Sequence, residues 1–349
     1  MIYYDVTKMG GAAHRSGLTR VSGRLGQELG AAIEPVRWDG RSRKFLTIEG
    51  GHTVTFLATD WMLTVELFSE AERPGFGGFI ARPPCRLAAV FADAIPIRFP
   101  HITWPHSVQR HPGYMKLLAA FDVVLAISED TKRDLEGFWA WQQVTPRARV
   151  VAIPLGADFD GSPRITQPPA PSVPPSLVCV GIVEPRKNQA FLLEVAAGLW
   201  QAGVDFELHV VGRVNPHFGA PIERRMLALQ RREPRFRYHR AATDAMLARL
   251  YGAARAAAFP TIAEGCGLPV IESLWRGVPC VCSDLPVLRE NTAGGGCLTA
   301  AVNDPADWTR QLRNVLTDDA RYNRLRAEAV SRALPTWADT ARAVQAALT

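Results

Sequence analysis

Two glutamates, Glu264 and Glu272, flank a stiff and small stretch in PTIAEGCGLPVIES, residues 260–273. Gly265, Cys266, Gly267, Leu268 and Pro269 lie between them. Two carboxylates so placed can accept hydrogen bonds from two sets of hydroxyls, one on a sugar and one on a ribose. The N–H groups around Leu268 to Val270, at a helix start, can hold an anion such as a diphosphate. The combination suits a nucleotide-sugar. Taken alone, two acids at this spacing are more often solvated side chains beside a βα turn.

Such chemistry needs a strand, a tight loop and a helix in that order. ARAAAFP (254–260) is apolar, short and ended by Pro260, so it reads as a buried strand of a parallel sheet. Gly265 and Gly267 allow close backbone approach, and Pro269 suits the first turn of a helix. VIESLWR has helical spacing, and Gly277 fits the position just past a helix end. VPCVCS (278–283) is the next strand. The loop therefore sits at the carboxyl end of a parallel strand, where open α/β sheets bind ligands. Strand and helix patterns alternate in both halves of the chain. The strands expected are 2–7, 54–59, 87–93 and 123–128, then 177–181, 206–212, 236–240, 256–260, 278–283 and 296–300. This α/β pattern predicts two Rossmann-like sheets. Residues 161–176 are Pro-rich and read as a stiff linker.

The stretch FPTIAEGCGLPVIESLWRGVPCVCSDLPVLRE resembles the donor-site signature of the family-4 glycosyltransferases, retaining enzymes of the GT-B fold. VGIVEPRKNQAFLLEVA (180–196) is similar to that family's strand–loop–helix bearing basic phosphate-binding residues. FRYHRAATDAMLARLYGAARAAAFP (236–260), VFADAIPIRFP and FDVVLAISEDTKRDL resemble further blocks in the family's order. The likeness is thin between 36 and 87. It implies a GT-B fold, two Rossmann-like domains with parallel sheets facing a central cleft. Residues 1–160 would form the N-terminal acceptor-binding domain, 161–176 the linker and 177–334 the nucleotide-sugar-binding domain. Residues 335–349 would be a helix crossing back to the first domain.

The resemblance also implies roles. Glu264 would hold the sugar hydroxyls and Glu272 the ribose. Gly265, Cys266, Gly267, Leu268 and Pro269 would shape the phosphate-binding helix end. Lys187 and Arg186 would hold the departing diphosphate, Lys as a point charge and Arg bidentately. Cations at a helix start oppose the helix dipole, which hints at a purpose for them. Many members carry the arginine earlier, where Ile182 or Val183 stands here. Gly17, in RSGLTR, would approach the donor phosphates from the opposite domain, with His14 and Arg15 in the same loop. In FADAIP many relatives have His-Asp; this chain has Ala92–Asp93, leaving Asp93 to position acceptor or sugar, or simply to cap a helix. His101 and His106 follow closely. The base would lie near Gly212 and Tyr238. Ser128 reads as a helix cap, with Lys132 beside it.

In this family the reaction retains anomeric configuration and uses no metal or other cofactor. The leaving diphosphate helps deprotonate the incoming hydroxyl on the same face. ADFD (157–160) contains a D-x-D, which holds metal in a different glycosyltransferase fold; here it reads as an interdomain turn. EPRKN and DAIPIRFP lean toward bacterial mannosyltransferases that use GDP-mannose, with UDP-sugars and other GDP-sugars left open. The expected acceptor is a glycan or polyprenyl-linked glycan in bacterial polysaccharide synthesis. A nucleotide-sugar epimerase or sugar phosphorylase of the same fold, and a non-catalytic GT-B binding module, remain as alternatives.

Composition agrees with a two-domain globular chain: 349 residues, 47% hydrophobic, net charge +6. The pI is about 9.2 and the mean hydropathy −0.02. The positive balance suits phosphate-rich donors or an anionic membrane surface, and equally plain surface solubility. No basic stripe with interleaved aromatics suggests nucleic acid as a partner. Six cysteines, Cys85, Cys179, Cys266, Cys280, Cys282 and Cys297, form no C-x-x-C and read as reduced, mostly buried thiols. No signal peptide and no apolar run of ~18 residues is visible. The expected place is the cytoplasm, with the inner face of the cell membrane as a peripheral contact. The eight histidines show no zinc spacing.

Overall fold

The computed structural model describes residues 1–8, 17–159 and 161–349, and at Leu18 the backbone alone. The chain forms two compact units, residues 1–156 together with 335–349, and residues 157–334.

The N-terminal unit is built on seven strands: β1 (Ile2–Asp5), β2 (Ile33–Asp39), β3 (Lys44–Thr47), β4 (Trp61–Thr64), β5 (Arg86–Phe91), β6 (Val123–Ala126) and β7 (Arg149–Ala152). Their order is β3-β2-β1-β4-β5-β6-β7, parallel except for β3. β4 and β6 are buried at every residue, as continuous apolar runs in a two-sided parallel sheet must be. Residues 54–59 are not a strand; Leu57 there is 65% exposed. The strand lies just beyond, at β4. Its entry is fixed by the Trp61 amide donating to the Met1 carbonyl at 2.9 Å and by Asp60 pairing with the Met1 ammonium at 3.1 Å. Arg73 is fully buried between Asp5 and Glu66, which bind its two terminal nitrogens. Glu66 also accepts from the Lys8 amide at 2.7 and 2.9 Å.

Ser128 caps the helix Glu129–Trp141, its hydroxyl accepting from the Thr131 amide at 3.0 Å. The helix Trp337–Leu348 packs within this unit. Thr340 donates to the Pro154 carbonyl at 2.9 Å, and Arg149 donates to the Ala347 carbonyl at 2.8 Å. Its first turn presses on Gly156, where a Cβ would lie 2.2 Å from the Trp337 nitrogen.

The C-terminal unit has six parallel strands: β8 (Ser176–Val180), β9 (Glu207–Val211), β10 (Phe236–His239), β11 (Ala256–Phe259), β12 (Cys280–Ser283) and β13 (Cys297–Ala300). Their order is β10-β9-β8-β11-β12-β13. Gly277 takes φ +69° just past the helix Leu268–Trp275, and its amide donates to the Leu274 carbonyl at 2.9 Å. The Pro-rich segment is laid along this unit. The Ile165 amide donates to the Trp275 carbonyl at 3.0 Å, and the Ser172 amide to the Ala253 carbonyl at 2.9 Å. All six cysteines are free thiols, and burial pushes Cys85 and Cys179 up to about 12.

Candidate functional site

The strand order puts β9, β8 and β11 side by side, so their carboxyl-end loops are neighbours. Close backbone contact makes this possible. A Cβ on Gly212, just after β9, would sit 1.9 Å from the Gly181 carbonyl, just after β8. The Cβ position is fixed by the backbone and the carbonyl is main chain, so neither can swing away. Gly212→Ala is therefore expected to destabilise the protein by about 1–3 kcal/mol, read from urea unfolding. An unchanged midpoint would show that the two loops can part.

After β8 the chain makes a short 3-10 turn, Pro185–Lys187, and Asn188 adopts φ +57° before the helix Gln189–Gln201. This turn sends Arg186 and Lys187 toward the loop after β11. The Lys187 ammonium lies 2.5 Å from Glu264 Oε1 and 4.7 Å from the centre of the Phe259 ring. Arg186 reaches the same oxygen at 2.9 Å, and the Thr261 hydroxyl donates to it at 2.7 Å. Three donors thus converge on Oε1. Among the described residues none reaches Oε2. Burial works to raise the Glu264 carboxyl, yet the two cations and their hydrogen bonds hold it below its ordinary value. Burial pushes the Lys187 ammonium below its own, with Glu264 opposing that shift. A carboxylate with one oxygen saturated and the other open can accept a hydrogen bond from a hydroxyl.

The helix Leu268–Trp275 begins beside Glu264. Gly267 has φ +79°, and a Cβ there would meet Leu288 Cδ2 at 2.2 Å. No side chain caps this end. The anion site is smaller than the sequence suggests. The Val270 amide already donates to the Gly267 carbonyl at 3.0 Å, and Pro269 has no N–H. Gly267 and Leu268 are left as the donors. Asn291 donates to the Cys266 carbonyl and steadies the loop. Burial, with Glu264 and Glu290 nearby, pushes the Cys266 thiol up to about 12, so it is a poor nucleophile. Glu272, one turn further into the helix, is buried at 9% exposure, and its charge is felt at the Tyr251 hydroxyl of the helix Asp244–Ala253. Glu264 is thus held among cations, while the charge of Glu272 acts on the Tyr251 hydroxyl, against that of Arg276.

The Tyr238 hydroxyl donates to the Gly212 carbonyl at 3.1 Å, which fixes the end of β9. In the N-terminal unit, Gly17 is the exposed first residue of the helix Gly17–Leu29, with open space where a Cβ would be. His14, Arg15 and Asp160 lie outside the described residues. Asp93 is half-buried after β5, and its Oδ1 accepts from the Ile95 amide at 2.9 Å. The imidazole beside it is neither His101 nor His106, both exposed. It is His111, buried in the helix Pro105–Leu118, with Nε2 2.9 Å from the Asp93 carbonyl oxygen. Burial pushes this imidazole below its ordinary value, the Asp93 charge opposing.

Sequence reasoning also passed over Glu184, Asn215 and Thr261. Glu184 was readable in EPRK as an acid two residues from Arg186. Asn215 and Thr261 gave no signal, since their partners are far along the chain. Among the described residues no group of three or more His, Cys, Asp or Glu side chains could hold a metal ion, and no helix is long and apolar enough to cross a membrane.

Comparison with known proteins bears on the same region. Residues 174–318 match the family model described as glycosyl transferases group 1. The serotype-specific mannosyltransferase WbdA of Escherichia coli is 30% identical over 223 residues, which cover 59% of this chain and 27% of that protein. The O-antigen chain mannosyltransferase B of Escherichia coli is 27% identical over 209 residues, covering 57% and 52%. This chain thus spans about a quarter to a half of the length of these relatives. Sucrose-phosphate synthase from Thermosynechococcus elongatus superposes with a TM-score of 0.70 at 16% identity, covering 99% of this chain and 97% of that one. The chain therefore has the GT-B fold of two Rossmann-like units, and its residues 174–318 are similar to the glycosyl transferases group 1 family.

Proposed function

We propose that the chain is a retaining glycosyltransferase that moves mannose from GDP-mannose to a glycan or polyprenyl-linked glycan, at the cytoplasmic face of a bacterial membrane, in polysaccharide synthesis. The observation that carries this reading is the Glu264 carboxylate, saturated by cations on one oxygen and open on the other. Similarity to the two mannosyltransferases supports the sugar, and the first of them the serotype-specific setting.

In this reading Oε2 of Glu264 accepts from a sugar hydroxyl, and Glu272 accepts from the ribose. The diphosphate rests on the Gly267 and Leu268 amides at the helix start and on Lys187. As the sugar–phosphate bond breaks, negative charge grows on the diphosphate. Lys187, until then satisfied by Glu264, then meets a stronger acceptor. Such an interaction is tighter in the transition state than in the ground state, which is what lowers a barrier. The departing phosphate takes the acceptor proton on the same face, and configuration is retained. Asp93, its backbone held by His111, orients the acceptor.

Two measurements test this. GDP and GDP-mannose are expected to raise the melting temperature with concentration, more than UDP or ADP and their sugars do. A shift with UDP-sugars alone would move the donor to uridine; none with any nucleotide would leave only a non-catalytic module. Transfer to acceptor should persist in excess EDTA, because cations and helix amides meet the diphosphate charge. Loss in EDTA with rescue by magnesium or manganese would overturn the metal-free mechanism. Epimerised donor or phosphorolysis in place of transfer would favour the other enzymes of this fold.

A further inference from the structure

Arg186 does not extend freely toward the open helix start. Its Nε and one terminal nitrogen bind Glu184 Oε1 at 3.0 and 2.9 Å. Its other terminal nitrogen binds Glu264 Oε1 at 2.9 Å and the Ala263 carbonyl at 2.8 Å. The Arg186 carbonyl accepts from the Ile262 amide at 2.9 Å. Glu184 in turn uses Oε2 to accept from Asn215 at 2.8 Å. A continuous chain of contacts, Asn215–Glu184–Arg186–Glu264–Lys187, therefore runs across the loops after β9, β8 and β11. The guanidinium is the only group in it that touches both carboxylates, and its planar fork suits that task as an ammonium would not.

We propose that Arg186 is a positioning residue, which ties these three loops into one frame and holds Glu264 with Oε2 turned to the donor sugar, while Lys187 alone is the phosphate cation. The consequence for the sugar rests on the glycosyltransferase reading; the frame does not. Losing Arg186 should disturb Glu264 and leave the hold on a free diphosphate almost intact.

A second consequence concerns pH. The charged and titratable groups around Glu264 are Arg186 and Lys187 from the loop after β8, with Glu184 behind Arg186, and the Cys266 thiol on its own loop, beyond which lies Glu290 on the helix Pro286–Thr292. Two cations hold the carboxyl down. With one removed its folded value should rise. A carboxyl held low when folded contributes stability above its unfolded value, lost as pH falls through the folded value. In Arg186→Gln that loss should come at higher pH.

The test compares the whole wild-type chain with Arg186→Gln. Calorimetry with GDP should show a change in Kd of less than about threefold. From about pH 5 to 9, kcat/KM for transfer should fall by about tenfold or more, with its acid limb moved to higher pH. A GDP Kd weakened more than about tenfold with an unmoved acid limb would mean that the guanidinium grips phosphate directly, and would overturn the proposal. Thermal melting without nucleotide, from about pH 4 to 7, gives an answer independent of the donor. Arg186→Gln should lose stability at higher pH than wild type, and the difference should vanish when both carry Glu264→Gln. Coincident profiles would refute the frame. If wild type binds no nucleotide, the functional reading fails and the melting comparison still decides. Should Arg186→Gln not fold, Arg186→Lys, which keeps the charge but cannot bridge both carboxylates, is put through the same comparisons: kcat/KM should fall with GDP binding kept, and wild-type turnover would overturn the frame.

Discussion

Lys187→Met is expected to weaken GDP binding and slow transfer together, each by about ten- to a hundredfold, since one charge-assisted contact is worth about 1.5–3 kcal/mol. Turnover should suffer more than affinity, because the diphosphate gains charge as it leaves. The structure adds a condition. Lys187 is buried at 9% exposure and paired with Glu264, so its loss also strips Glu264 of one cation. Arg186 and Thr261 remain on the same oxygen, which limits the damage to the fold. Melting temperature, GDP affinity and initial rate should be measured on one preparation. Normal affinity and normal turnover in a folded variant would show that Lys187 serves only as the counter-ion of Glu264.

The second large effect separates the two glutamates. Glu272→Gln should weaken free GDP and the complete donor alike, because a carboxylate facing ribose binds both. Glu264→Gln should leave GDP bound at least as tightly, because Lys187 is then released from its partner. Its turnover should nevertheless fall by about ten- to a hundredfold, the loss expected when a charged acceptor to a hydroxyl becomes neutral. Gln keeps the size and an acceptor oxygen, so packing does not explain either result. Transfer at the normal rate by Glu264→Gln would make Glu264 a structural loop acid.

The βα unit around these residues was legible because its signals are local. An apolar run ends at Pro260, glycines mark the turn, Pro269 opens the helix and Gly277 closes it. The same holds for β8, β11 and β12, short runs buried almost throughout, whereas β9, β10 and β13 carry half-buried or exposed residues. Legibility failed where a strand depends on distant partners. VTFLAT has strand composition, but the Trp61 amide donating to the Met1 carbonyl and the Asp60 pair put the strand at Trp61–Thr64 instead. β2 contains Pro35, which breaks the expected pattern, and is recruited by pairing with β1. The site divides in the same way. Glu264, Glu272 and Lys187 could be named from spacing and resemblance. The engagement of Arg186 could not, since its partner Glu264 lies far along the chain and meets it only because β8 and β11 are adjacent. His111, 18 residues past Asp93, was hidden for a similar reason.

The chain leaves the N-terminal unit after Gly156 and rejoins it at Pro335, with Gly156 pressed against the Trp337 nitrogen. One unit is thus an uninterrupted insertion into the other, and the two ends of the insertion lie side by side. This orders events on the ribosome. Residues 157–334 hold all six strands of their sheet and have emerged complete while the N-terminal unit still lacks the helix Trp337–Leu348. Trp337, with no exposure in the folded unit, follows the whole insertion in the chain. Until it arrives, the surface it will cover stays open to water and to chaperones. The 157–334 unit is therefore complete in the chain first, and the unit that encloses it in sequence is completed only by residues 335–349.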